Sequence, residues 1–238
     1  TIVSQLASGR WYHRRFQNAD IPRVPQLRII LQGIRRMSNP VTKKYSVTPS
    51  FLRVLRHSIT IANPRHRLLW GSLLLAYFFL YCLKDAHVYF TDKNGSPVSS
   101  EEATAVTIGL EGAKNDQYGR GAWRTMHASG DWSLCPVRAL RHIRLARTQL
   151  GCAHCEHLCM NLSSEEVTMR LKQVAIKVGV PPSRYATHSL RIGGATSLWN
   201  ARVDSLAIKL LGRWVSRCYE EYPVQAAAAT AGLSGRMI

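Results

Sequence analysis

Between Leu68 and Leu83 the chain runs sixteen residues without a charged side chain, bounded by Arg65, His66 and Arg67 on one side and Lys84 and Asp85 on the other. A helix that crosses a bilayer needs about 20 such residues. A shorter run that is apolar all round predicts a helix buried on every face in a protein core. No membrane partner is expected, and the rest of the chain has to supply the layers that wrap this helix.

Those layers can be read on either side of it. Thr1 to Ala19 is weakly helical, and Pro25 to Met37 places Leu27, Ile30, Leu31 and Ile34 at helical spacing beside Arg28, Arg35 and Arg36. The stretch from Ser38 through Pro40 to Tyr45 has no periodicity and carries Lys43 and Lys44, which reads as a basic linker. Thr48-Pro49 then opens a new helix, a cap followed by proline at the first position. After the apolar run the period changes to two. His87 to Thr91, the segment around Val106, Ile108 and Leu110, and Ala122 to His127 predict three antiparallel strands, with Lys114 in the second connection. Cys135-Pro136 leads into a helix ending near Leu150. Its apolar positions are Leu140, Ile143 and Leu145, and Arg138, Arg141, Arg144 and Arg147 are expected to form a solvated face. Ser163 and Glu166 form a capping-box pattern for a helix reaching Val178. No internal repeat is present.

The charge balance points to a partner. Lys plus Arg number 32 against 14 acids, a net charge of +18 spread along the chain rather than gathered in a tail. A folded chain this basic is expected to bind a polyanion, and 46% hydrophobic residues supply a core. No signal peptide is visible, so a nuclear location is expected in a eukaryote and a cytoplasmic one otherwise, and not secretion. The chain begins at Thr1 rather than methionine, which reads as a fragment. The six cysteines form no evident disulfide framework. Cys152, Cys155 and Cys159 cluster with His154 and His157. These are zinc-ligand types, but they are packed too densely for the usual knuckle, so an ordinary reduced loop is the default beside a zinc module.

The densest chemistry lies near the C-terminus. Thr187-His188-Ser189-Leu190-Arg191-Ile192-Gly193-Gly194 is followed by Leu211-Gly212-Arg213-Trp214 and then Tyr222. These residue types suit metal-free covalent cleavage of a phosphodiester. A tyrosine hydroxyl can attack phosphorus, arginines can hold phosphate oxygens in a fixed fork, and a histidine can carry protons. Thr187 is a candidate N-cap, which sets His188 and Arg191 on one helix face. Gly193 and Gly194 predict close approach of another backbone. Asp204 is expected to cap a second helix ending at Gly212, and Ser216 a third carrying Tyr219 and Tyr222.

This order, H-x-x-R, then Gly-Arg-Trp, then a tyrosine nine residues after Arg213, resembles the tyrosine recombinases, the phage-integrase superfamily. The Gly-Arg-Trp box is similar to the branch found in eukaryotic mobile elements. The resemblance implies an α+β, mostly helical catalytic domain with a small three-stranded antiparallel sheet at 48–238, the end of a helical core-binding domain at 1–37, and a linker at 38–47. It implies strand cleavage and rejoining of duplex DNA, with self-association on the DNA and no cofactor, metal or small-molecule substrate. Tyr222 would form a 3′-phosphotyrosyl link, with Tyr219 its competitor. Arg191 would bind the scissile phosphate, His188 would accept or orient a proton, and Lys114 would protonate the leaving 5′ oxygen. Arg213 would occupy the family's His/Trp position by its distance to Tyr222, with Trp214 adjacent, and either of the two would contact the phosphate. One position departs from the pattern: Cys82 stands where the family's first arginine belongs, with Asp85 in the acidic place three residues on. A thiol cannot replace a bidentate cation, so a non-catalytic DNA-binding relic of the same fold stands as the alternative.

Overall fold

The computed structural model describes residues 2–18, 25–37, 43–79, 87–110, 122–214 and 220. The chain divides into two compact units, Thr1–Thr42 and Lys43–Ile238. The first contains α1 (Ile2–Phe16) and α2 (Pro25–Met37). Ile30 and Ile34, part of the apolar stripe of α2, are exposed.

The second unit is built around the apolar run. In α4 (Pro64–Phe79) every residue from Leu68 to Leu75 is buried, together with Tyr77 and Phe79. Burying one leucine contributes about 1.5–3 kcal/mol, so the leucines of this one helix are a large share of what holds the unit together. α3 (Pro49–His57) adds Phe51, Leu52 and Leu55 to the same core. As the Thr48-Pro49 pair predicts, the Thr48 hydroxyl accepts from the Phe51 N–H and proline occupies the first turn. α5 (Pro136–Gln149) packs along α4 with Val137, Leu140 and Ile143 buried, and α6 (Ser164–Lys177) contributes Val167, Leu171 and Val174. The strands β1 (Val88–Thr91), β2 (Ala105–Leu110) and β3 (Ala122–His127) form one antiparallel sheet in that order, with Val88, Ile108 and Arg124 in register on one face. α7 (His188–Asn200) and α8 (Ser205–Leu211) complete the described unit. The unit is mostly helical with a small three-stranded antiparallel sheet. Among the described residues no helix is long and apolar enough to cross a membrane.

Several local expectations change on contact with the structure. Of the four arginines of α5 only Arg138 is exposed; the other three do not form a solvated face. Arg147 is 1% exposed, and its guanidinium donates to the carbonyls of His157 (2.7 Å), Leu158 (3.2 Å), Ala153 (2.8 Å) and Cys155 (2.7 Å). Arg141 and Arg144 donate to the carbonyls of Ser100 and Val88. In each case a long side chain buries its stem and uses its fork to collect carbonyls that no helix or sheet satisfies. The Cys/His cluster is thus organised around Arg147. Leu145, one of the apolar positions of this helix, is 50% exposed. The capping box at α6 is half realised: the Ser163 hydroxyl accepts from the Glu166 N–H, but the Glu166 carboxylate takes two donors from Arg65 instead of reaching back.

Candidate functional site

α7 carries the first half of the site. Thr187 has helical backbone angles and its side chain caps nothing. The hydroxyl of Ser189 does the local work instead, accepting from the Ala186 N–H at 3.1 Å. The helix still opens at His188, so His188 and Arg191 are one turn apart on one face. The helix is fixed sideways by close approach at Gly193. A Cβ there would stand 2.1 Å from the carbonyl oxygen of Val47. Val47 in turn donates its N–H to the Ser189 carbonyl at 3.1 Å, and the Tyr77 hydroxyl meets that of Ser197. These contacts tie the helix that bears His188 and Arg191 to the core helix α4.

The second half is the turn that ends α8. The Asp204 carboxylate caps the start of this helix by accepting from the Leu206 and Ala207 N–H groups, as expected. At the far end the Arg213 N–H bonds to the Leu210 carbonyl and the Trp214 N–H to the Lys209 carbonyl, which is the Schellman pattern. The left-handed residue such a turn requires is not Gly212 but Arg213, with φ +53°. Gly212 serves another purpose. The Trp214 indole folds back against its Cα, and a Cβ at that position would stand 1.8 Å from the ring.

Arg191 joins the two halves. It donates to the Gly212 carbonyl at 2.5 Å, and its guanidinium lies 4.5 Å from the centroid of the buried Trp214 ring. The sequence reading missed a third contributor, Arg124 on β3. From the other side it donates to the Leu210 carbonyl at 2.8 Å and 3.3 Å. Its guanidinium is pushed down from the usual arginine range by burial and then by the nearby charge of Arg213. Two arginines from separate elements thus grip the carbonyl end of α8, where the helix dipole favours cations, and a third sits in the turn they grip. The only sequence signal for Arg124 is a basic residue at an inward position of a strand. His188, half-exposed, has its pKa lowered by burial and then by Arg191, so its neutral, proton-accepting form is favoured. A cavity of about 400 Å³ opens beside His188 and Arg191, walled by Ser72 and Ala76 of α4 and by Ser163 and Ser164 at the start of α6.

The structure brings together four of the predicted site residues: His188, Arg191, Arg213 and Trp214. Between the last two, Trp214 is the one in contact with Arg191. Lys114, Tyr222, its competitor Tyr219, and Cys82 lie outside the described residues. Cys152 and Cys155 are free cysteines, Cys159 lines the cavity beside His188, and no group of three or more potential metal ligands is found among the described residues.

No family model and no curated protein matches the chain. Among solved structures it is similar to the crystal structure of XerA recombinase, with a TM-score of 0.50 and 12% identity over 100% of this chain and 76% of that one. At this identity the likeness concerns the fold: the chain has a recombinase-like architecture.

Proposed function

We propose that this chain is a tyrosine recombinase-like domain that binds duplex DNA and cleaves and rejoins its strands without a metal. The observation that carries the reading is the convergence of Arg191 with Gly212, Arg213 and Trp214. Residues 21–23 positions apart in sequence form one cationic turn beside His188, whose pKa is lowered by burial and by Arg191. That is what a transferring phosphoryl group requires: preformed positive charge where negative charge develops, and a proton acceptor nearby. The recombinase-like fold supports the same reading. In this proposal residues 1–37 are the end of a core-binding domain, and copies self-associate on the DNA.

In the proposed reaction the Tyr222 oxygen attacks phosphorus as its proton passes to His188. The P–O5′ bond breaks, Lys114 supplies the proton to the leaving oxygen, and a 3′-phosphotyrosyl link remains. Arg191 and the Arg213–Trp214 turn stabilise the pentacoordinate charge. Cys82 removes one cation from that set. Loss of one preorganised contact costs about 3 kcal/mol, roughly a hundredfold or more in rate. The non-catalytic alternative rests on that residue.

Trapping on a nicked duplex decides between the two. The expected result is a covalent adduct, weak in the native sequence and stronger in Cys82→Arg. It disappears in Tyr222→Phe and persists in Tyr219→Phe. Salt-sensitive duplex binding with no adduct in either the native protein or Cys82→Arg establishes the DNA-binding relic instead.

A further inference from the structure

The sheet has a second face, turned away from Arg124, and it carries an aromatic surface that the cleavage chemistry does not use. Strand alternation puts Tyr89, Thr107, Gly109, Trp123 and Thr125 there. Tyr89 is 41% exposed and Trp123 59% exposed, with ring centroids 5.9 Å apart. Trp123 pairs with Gly109 across the strands, and its six-membered ring lies over that glycine: a Cβ at position 109 would stand 2.9 Å from two ring carbons. The missing side chain is what lets the indole lie across the sheet. Beside the rings, hydroxyls of Thr91, Thr107 and Thr125 form a chain of hydrogen bonds at 3.0 Å and 2.8 Å. His127 is exposed at the end of β3. No acidic residue lies on this face of the three strands.

We infer that this face is a stacking site for an unpaired nucleobase, so that the domain holds single-stranded nucleic acid as well as duplex. The inference rests on the DNA-binding reading above. Two exposed rings on a sheet, bordered by hydroxyls and free of acids in a chain of net charge +18, suit a base whose flanking backbone is anionic. β3 is an edge strand, and Trp123 and Arg124 point to opposite faces of it. A strand of DNA that rounds this edge meets the indole on one side and the arginine cluster on the other. Base and phosphate contacts are thus separated by the thickness of one sheet. A strand cut next to the arginine cluster can fray from its end, and this surface gives an unpaired base there a place to stack.

The test compares single-stranded and duplex oligonucleotides of equal length, by fluorescence anisotropy at fixed salt, for the native protein, Trp123→Ala and Trp123→Phe. Trp123→Ala is expected to lose about 5- to 150-fold in single-strand affinity, the range for one base–aromatic stack. Duplex affinity should change less than twofold, and Trp123→Phe should restore most of the loss. A matched abasic oligonucleotide should bind native protein and Trp123→Ala alike. Melting curves accompany each variant. A lower melting temperature for Trp123→Ala with unchanged single-strand affinity means the indole merely shields the Gly109 backbone, and overturns the site. Equal loss on both nucleic acids overturns it as well. Native protein that binds duplex without any Trp123-dependent single-strand binding overturns this inference alone. Native protein that binds neither overturns the DNA-binding reading with it.

Discussion

Replacing Arg213 by glycine should make the protein more stable and less active. Arg213 occupies the left-handed position after α8, at φ +53°. For an L-residue that conformation costs roughly 1–2 kcal/mol, and glycine has no such cost. Glycine is more flexible in the unfolded chain, which returns about 0.5–1 kcal/mol. Removing the charge also relieves Arg124, whose pKa is lowered by Arg213. The balance is a gain of about 0.5–1 kcal/mol, read by urea or thermal unfolding.

The structure contains its own control. Arg202, at φ +60°, closes α7 with the same pair of bonds, Arg202 N–H to Trp199 and Val203 N–H to Leu198. Arg202→Gly should give a similar gain and leave DNA binding and cleavage near the native level. Arg213→Gly should lower both. Arg213→Ala separates strain from charge, because it loses the guanidinium without relieving the backbone. It should match Arg213→Gly in DNA effects and show at most the small part of the gain that comes from relieving Arg124. Destabilisation of Arg213→Gly by more than about 1 kcal/mol, or DNA effects shared equally by Arg202→Gly, refutes the reasoning. The first outcome makes the arginine side chain structural, and the second makes the charge loss nonspecific.

Two further predictions concern buried basic groups. Arg147→Met should destabilise the protein by about 3 kcal/mol or more: charge-assisted bonds are worth about 1.5–3 kcal/mol each, but water can replace part of the set in the half-exposed loop. Urea unfolding with proteolysis of the 151–162 loop checks it, and a loss below about 1 kcal/mol sinks it. His142 is pulled down to about 4 by burial and by Arg67, Arg56 and Arg138. The unfolded chain therefore binds the proton first, and stability present above about pH 6.5 is lost as pH falls toward 4. The full gap is worth about 3 kcal/mol, reduced to roughly 1–2 by solvent screening at this partly exposed ring. His142→Gln should flatten the stability–pH curve in that window, and an unchanged slope refutes the assignment.

The elements were legible where one local signal decided them. The apolar run as far as Phe79, the Thr48-Pro49 start, the period-two strands and the Asp204 cap all rest on short-range pattern, and each lies where the sequence puts it. The close approach at Gly193 was legible for the same reason: a glycine inside a helix asks for an explanation. Arg147 and Arg124 were not. An arginine on a helix or strand looks solvated until the fold brings stray carbonyls to it, and those carbonyls come from the 153–158 loop and from Leu210. Glu166 failed likewise, because the partner that drew it from its capping role, Arg65, lies 101 residues away. In the candidate site, the order and spacing of His188, Arg191 and the Gly-Arg-Trp box were readable. That Arg191 stacks on Trp214 required the turn geometry, which depends on a strained residue no propensity would choose.

That strained choice bears on what the site is for. Arg124, Arg191 and Arg213 are brought close together at the carbonyl end of α8. Glycine at position 213 would close the same turn with less backbone strain and less repulsion of Arg124. The carbonyls of Leu210 and Gly212, which accept from Arg124 and Arg191, carry only fractional charge. In the proposed reaction a phosphate brought to this turn meets these guanidinium groups, and a transferring phosphoryl group, with more charge on its oxygens, is held more strongly. An arginine held at a stability cost in a turn built by two other arginines is what differential binding to developing negative charge requires. The same reasoning makes Cys82 costly: if it stands where another cation belongs, the set is short by one charge at the stage where charge matters most.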